Sequence, residues 1–229
     1  MIKYWNDIPE RLHLKNTEGH LWLANLDEED PDNFLGFLSD DERVRAGRLV
    51  DHRNSTRFTI ARGILRVLLG HYLSCSPEHL VFSYGIHGKP RLSGRFQGKL
   101  SFNISHSEGF AIFAIAKGIE VGVDLQKIHP VGNIETTATF FLSPEESGKF
   151  KALPGGRKLE QFFTLWTCKE AVLKVLGSGF NNPDNRILAT FEQHEQADDG
   201  NDDIFEDKRL TLINTPMGFK GALACLSLI

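Results

Sequence analysis

Three charged residues interrupt an apolar stretch, "LWTCKEAVLKVLGSGF", running from Leu165 to Phe180. Helical spacing gathers Phe162, Leu165, Trp166, Leu173 and Leu176 into one stripe, and Lys169 falls inside it. Glu170 and Lys174 are four residues apart and share a face at the stripe's edge. On an arbitrary helix the plain reading is a snorkelling lysine and a solvated Glu–Lys pair. Three charges held together on an apolar face are costly unless they pair or meet a ligand, which favours a site.

Other groups of the same chemistry lie upstream. In "VGVDLQ", Val121 to Gln126, Asp124 ends an apolar strand, and Gln126 shares its face because strand side chains alternate. With Glu170 they make an all-oxygen donor set suited to a hard cation such as magnesium, held jointly with water and substrate phosphates. In "FNISHSEGF", Phe102 to Phe110, a strand ends in Ser105 and His106. A serine-rich turn is the plain reading. A serine nucleophile is disfavoured because G-x-S-x-G is absent. Hydroxyls, a histidine and turn amides also suit phosphate. Lys89, in the Gly88-Lys89-Pro90 turn, could add a cation towards the same anion. Of the arginines from Arg43 to Arg66, most are expected in solvent. Arg62 aligns with Glu170 in the repeat described next and is expected at the seam. Arginine suits a phosphate with several oxygens.

The elements that must carry these residues repeat. Phe37-Leu38-Ser39-Asp40-Asp41-Glu42 recurs as Phe141-Leu142-Ser143-Pro144-Glu145-Glu146, each opening on a serine N-cap. Phe58, Thr59, Leu65 and Val67 line up with Trp166, Thr167, Leu173 and Val175, and Gly109-Phe110 with Gly218-Phe219. The spacing predicts helices over 56–70 and 160–176. It predicts strands over 100–104, 110–116, 121–125, 186–192 and 210–213, and an acidic loop over 196–208. The expected fold is α+β: a pseudo-twofold pair of related halves, 1–117 and 118–229, joined near Lys117-Gly118. Each half is a small antiparallel sheet packed with helices, and the active site lies at the seam.

Composition sets the outer bounds. The chain has 229 residues, 41% of them hydrophobic and 24% charged, with a net charge of -4. That balance suits a globular protein and argues against bulk nucleic-acid binding. No apolar run is long enough for a membrane span, and the N-terminus lacks a signal-peptide pattern. Three dispersed cysteines suggest a reducing compartment, with the cytoplasm as default.

Four motifs in this order, Gly88-Lys89-Pro90, "FNISHS", "GVDLQ" and "WTCKEAVLKVLGSG", resemble the 4′-phosphopantetheinyl transferases of the surfactin-synthetase-activating type. The resemblance covers roughly Phe34 to Phe180. It implies a pseudo-dimer that transfers the phosphopantetheine arm of coenzyme A to a serine of an apo acyl or peptidyl carrier protein, releasing adenosine 3′,5′-bisphosphate. It implies magnesium, or manganese in its place, on Asp124, Gln126 and Glu170, with Glu170 also the base for the carrier serine. It places Lys174 on the pyrophosphate. Coenzyme A falls to Lys89, Pro90, Ser105 and His106, with Arg45, Arg57 and Arg62 as helpers. Lys169 is assigned to the catalytic helix as an ion-pair partner that fixes carboxylate geometry. The N-terminal half then carries coenzyme A-binding elements, the C-terminal half the metal site, and a monomer suffices. Gln126 departs from the family's usual glutamate, which bears on metal affinity more than on the reaction. Two other readings stand: another magnesium-dependent phosphotransferase, and a non-catalytic binder of coenzyme A or carrier proteins. Whether the carrier serves fatty-acid, polyketide or peptide synthesis is open.

Overall fold

The run "FAIFAIA" is apolar at every position, so as a strand it must be covered on both faces. The computed structural model, which describes residues 2–10, 12–177, 192–194, 205 and 207–227, covers it so. This strand, β6 (Phe110–Ala116), turns Ala111, Phe113 and Ile115 towards one core and Ile112, Ala114 and Ala116 towards another. Before it come β1 (Ile2–Tyr4), β2 (Gly19–Asn25), α1 (Asp32–Leu35), α2 (Asp40–Gly47), α3 (His52–Leu73), β3 (Phe82–Tyr84), β4 (Pro90–Leu92) and β5 (Ser101–Ser107). After it come β7 (Ile119–Lys127), α4 (Ile134–Ala138), α5 (Pro144–Lys151), α6 (Gly155–Leu176), β8 (Glu192–His194), β9 (Arg209–Leu212) and β10 (Phe219–Ser227).

Two four-stranded sheets result, ordered β1-β2-β6-β5 and β7-β10-β9-β8, with β3 and β4 as a separate hairpin. Apart from the parallel pairs β1–β2 and β8–β9, the pairings are antiparallel. One core packs α3 against the first sheet. A second joins the sheets, with Leu21, Leu23 and Ile112 meeting Val121, Val123, Leu125 and Leu223. A third packs α6, through Ala171, Val172 and Val175, against Ala222 and Ala224 of β10. The layers therefore run α, β, β, α: a mixed α+β fold.

Serine caps open the short helix in each part. Ser39 with Glu42, and Ser143 with Glu146, form capping boxes in which serine and glutamate satisfy each other's backbone donors. Helix α3 runs past the expected stop at Gly70. There the following turn folds back, and a Cβ would lie 2.7 Å from the Cys75 carbonyl. The glycine serves that close approach rather than ending the helix. Strands β1 and β2 were not foreseen, so strand precedes helix in the first part. The expected strand 186–192 and acidic loop 196–208 lie largely outside the described residues. Among those described, no helix is long and apolar enough to cross a membrane. Cys75, Cys168 and Cys225 are not in disulfides.

Candidate functional site

Strand β7 divides its side chains by period two. Ile119, Val121, Val123 and Leu125 enter the core between the sheets. The alternate set, Glu120, Gly122, Asp124 and Gln126, lies on the opposite face. Gly122 sets the distance to α6: a Cβ there would lie 2.2 Å from the Ala171 carbonyl and 2.3 Å from the Val175 amide. Only glycine lets strand and helix approach this closely, and that approach puts the Glu170–Lys174 turn beside Asp124.

Asp124 is 1% exposed, and three side chains hydrogen-bond its carboxylate. Its Oδ1 accepts from Lys174 Nζ at 2.7 Å and Ser105 Oγ at 2.8 Å, and its Oδ2 from Gln126 Nε2 at 3.2 Å. Lys174 also donates to the Val123 carbonyl at 3.1 Å. Glu170 is half-buried and, among the described residues, has no hydrogen-bond or ion-pair partner. Burial pushes its carboxyl above the usual value; Lys174 opposes the rise and the Asp124 charge adds to it.

Ser105 belongs to a ladder that sequence reasoning missed. The oxygens of Ser101, Asn103, Ser105 and Ser107 accept from the amides of Val121, Val123, Leu125 and Lys127 at 3.3, 3.0, 3.2 and 2.9 Å. Side chains of one edge strand thus satisfy the backbone of another, where no backbone partner exists. The signal was present as S-x-N-x-S-x-S, a polar stripe with strand period. Ser105 therefore faces Asp124, while His106, next along the strand, faces the other way and reaches solvent. The protein around its ring, then Lys174, Arg57 and Arg45, pushes the His106 pKa down.

The remaining expected residues are spread more widely. Lys89 spends three donors inside the protein, on Glu120 Oε2 at 3.0 Å and the carbonyls of Val121 at 3.2 Å and Val175 at 3.3 Å. Glu120 also takes Arg91 at 2.5 Å and was missed in the sequence. Pro90 begins β4, opposite Tyr84. Arg57 makes a bidentate pair with Asp27, both bonds 2.8 Å, and these bonds hold the Asp27 pKa down at about 2. Arg45 is exposed and lies over the Phe58 ring.

Arg62 is buried beside Glu42, 3.4 Å from Oε1, rather than beside Glu170. Arg66 is buried on Glu42 Oε2 at 2.7 Å. Most of these arginines, Arg43, Arg45, Arg48 and Arg53, are exposed as expected, whereas Arg57, Arg62 and Arg66 are not, because acidic partners and aromatic rings compensate their burial. Lys169 is buried on Glu146, 2.8 Å away, which ties α5 to α6. Its partner is thus the capping-box glutamate rather than Glu170.

The donor set admits a divalent cation. Asp124 Oδ2 keeps lone-pair capacity beyond its single bond, Glu170 is unpaired among the described residues, and the Gln126 amide oxygen is a third hard donor. No cluster of three or more His, Cys, Asp or Glu exists among the described residues, so water and substrate oxygens would have to complete the shell.

Comparison with known proteins agrees with this geometry. Residues 120–211, which span β7 through most of β9 and hold Asp124, Glu170 and Lys174, match the family described as the 4′-phosphopantetheinyl transferase superfamily. The 4′-phosphopantetheinyl transferase HetI of Nostoc sp. is 39% identical over 178 residues, covering 76% of this chain and 75% of that protein. The 4′-phosphopantetheinyl transferase Sfp of Bacillus subtilis is 26% identical over 172 residues, covering 75% of each. The 4′-phosphopantetheinyl transferase AcpT of Escherichia coli is 36% identical over 112 residues, 49% of this chain and 55% of that one. With three quarters of both chains aligned to a relative at 39% identity, and the Asp124–Lys174–Glu170 cluster inside the matched segment, the chain belongs to the 4′-phosphopantetheinyl transferase superfamily.

Proposed function

We propose that the chain transfers the 4′-phosphopantetheine arm of coenzyme A to a serine of an apo carrier protein. The observation that carries this reading is one helical turn presenting a raised-pKa carboxylate, Glu170, unpaired among the described residues, beside a lysine ammonium, Lys174. The carrier serine oxygen bonds to the phosphorus that bears pantetheine. The bond from that phosphorus to the bridging oxygen breaks, and adenosine 3′,5′-bisphosphate leaves with its electron pair. Glu170 takes the hydroxyl proton, directly or through water. Lys174 meets the charge that develops on the leaving group. Asp124, Glu170 and the Gln126 amide oxygen would hold magnesium, or manganese in its place, and such a cation neutralises pyrophosphate charge.

His106 and Arg45 stand towards solvent near Lys174 and are assigned to coenzyme A phosphates. Arg57 joins them by sharing its fork with Asp27. Lys89, Pro90, Ser105 and Arg62 shape the site through the partners described above. Lys169 holds the catalytic helix through Glu146.

The site sits between two halves, 1–117 and 118–229, related by a pseudo-twofold axis. Three features support that relation. In each half a strand, β2 or β7, precedes a capped short helix and a 22-residue helix, and the last two strands, β5 and β6 or β9 and β10, join it in sheets ordered β2-β6-β5 and β7-β10-β9. Capping boxes open both short helices. Phe110 and Phe219, equivalent in the repeat, pack ring to ring at 5.2 Å, as equivalent residues near a twofold axis should. Both halves lie in one chain, so a monomer in the cytoplasm suffices.

The test is chromatography of the nucleotide product. With coenzyme A, magnesium and an apo carrier, adenosine 3′,5′-bisphosphate should appear only when the carrier serine is present. Release that ignores the carrier would point to a small-molecule phosphotransferase instead.

Gln126 carries a separate prediction. A neutral amide leaves the donor set one negative charge short, so the coenzyme pyrophosphate must supply it. Magnesium and coenzyme A should then bind cooperatively, each raising the other's affinity by the same factor. Gln126→Glu should tighten magnesium binding to the protein alone and reduce that factor, as read by calorimetric titration with and without coenzyme A. Equal affinities and equal coupling would mean that Gln126 does not face the metal.

A further inference from the structure

Asp124 is promised to two cations. The proposed function gives it to a divalent metal and gives Lys174 to the pyrophosphate. In the structure, Lys174 Nζ lies 2.7 Å from Asp124 Oδ1. We propose that Lys174 is the built-in counter-ion of Asp124, that it and a divalent cation compete for this carboxylate, and that metal loading frees the ammonium for the pyrophosphate. The inference rests on the reading of Asp124 as a cation ligand.

Burial makes a counter-ion necessary. A carboxylate 1% exposed is strongly unfavourable unless it is paired and hydrogen-bonded. Both bonds on Oδ1 are taken, by Lys174 and Ser105, so a metal would have to enter at Oδ2, where Gln126 holds a single bond. The incoming cation and Nζ would then share one carboxylate, and like charges so close in a buried site repel.

Of the two donors on Oδ1, only the lysine can yield. The Ser105 hydroxyl is locked, because it also accepts from the Leu125 amide at 3.2 Å. The Lys174 side chain is 26% exposed and ends a flexible four-carbon stem, so its ammonium can swing outward. The direction of that swing is set by charge. Arg45 and the Asp27-paired Arg57 lie with Lys174 around the His106 ring, so an ammonium moves to that side only when an anion arrives with the metal. A coenzyme pyrophosphate is such an anion. The exchange would give metal and coenzyme one shared gate, and neither would need to contact the other for their binding to be linked.

The competition predicts an effect of unusual sign: removing a lysine assigned to the reaction improves metal binding. Lys174→Met keeps the length of the side chain and removes its charge. Magnesium chloride alone, titrated calorimetrically, should bind this variant about tenfold more tightly than wild type, or about 1.4 kcal/mol. Lys174→Arg keeps the charge and should not tighten. In the presence of coenzyme A, the enhancement of magnesium affinity should be smaller for Lys174→Met than for wild type. Thermal unfolding verifies that each variant is folded, and Lys174→Gln replaces Lys174→Met if the latter is not. Equal or weaker magnesium binding by the folded, uncharged variant overturns the proposal. Asp124→Asn separates this failure from that of the underlying reading: undiminished magnesium binding by that variant would show that Asp124 is not the ligand at all.

Discussion

Glu170→Gln should cut transfer by about 10²–10⁴-fold, the usual cost of losing a general base, while coenzyme A still binds. Glutamine keeps the shape and one oxygen donor but cannot take a proton. Glu170 is suited to the task because burial raises its pKa, with Asp124 adding to the rise and Lys174 opposing it. A base with a raised pKa accepts the serine proton more readily at neutral pH. The sign of the pH dependence follows. Transfer needs the ionised carboxylate, so the rate should fall as pH drops through the Glu170 pKa, which a bound cation brings down from its raised metal-free position. In Glu170→Gln that acid limb should vanish along with most of the rate. Single-turnover kinetics across pH, at saturating magnesium and coenzyme A, provide the measurement. More than half of wild-type turnover in the variant would remove Glu170 from the role.

The largest effect on stability should come from Arg66, far from the reacting atoms. Arg66 is 1% exposed and makes four hydrogen bonds inside the protein. Its Nε donates to Glu42 Oε2 at 2.7 Å, Nη1 to the carbonyls of Pro77 at 3.0 Å and Leu80 at 2.9 Å, and Nη2 to Ser39 Oγ at 3.1 Å. The guanidinium also lies over Phe82, 4.8 Å from the ring centre. Arg66→Met would leave Glu42, at 0% exposure, with the Ser39 amide at 3.0 Å and, as its nearest cation, Arg62 at a looser 3.4 Å. Breaking a buried pair from one side costs about 3–5 kcal/mol, because the remaining charge is stranded. Urea unfolding should show that loss. Adding Glu42→Met should recover part of it, since the stranded charge then disappears. A loss under about 1 kcal/mol would mean that the network does not anchor the fold.

The same network shows what could be read from the sequence and what could not. Ser39-x-x-Glu42 and Ser143-x-x-Glu146 were legible as helix starts because capping is local chemistry. That each glutamate has a second bond to the following long helix, Glu42 to Arg66 and Glu146 to Lys169, was not legible. Partners 24 and 23 residues away depend on how the helices pack. Strand β6 was found from its unbroken apolar run and fits the expected span, Phe110–Ala116. Strands β1 and β2 were missed although "HLWLAN" is apolar, because no repeat partner or flanking turn singled it out.

At the site, helix periodicity placed Glu170 and Lys174 on one face, and strand periodicity placed Asp124 with Gln126. What periodicity could not supply was the distance between strand and helix, which Gly122 sets. Nor could it show that Ser105 turns inward to Asp124 while His106 turns out. Lys89 illustrates the same limit: a lysine in a Gly-Lys-Pro turn looks available for an anion, yet folding supplies it with Glu120 and two carbonyls.

Group transfer to a carrier serine is read most directly from the intact mass of the carrier. The full chain, coenzyme A and magnesium are incubated with an apo carrier protein, and separately with the same carrier whose acceptor serine is alanine. The first carrier should gain the mass of one phosphopantetheine group, the second should gain nothing, and chelation of the metal should stop the gain. A carrier whose mass stays unchanged under these conditions, tried with carriers of fatty-acid, polyketide and peptide synthesis in turn, would contradict it.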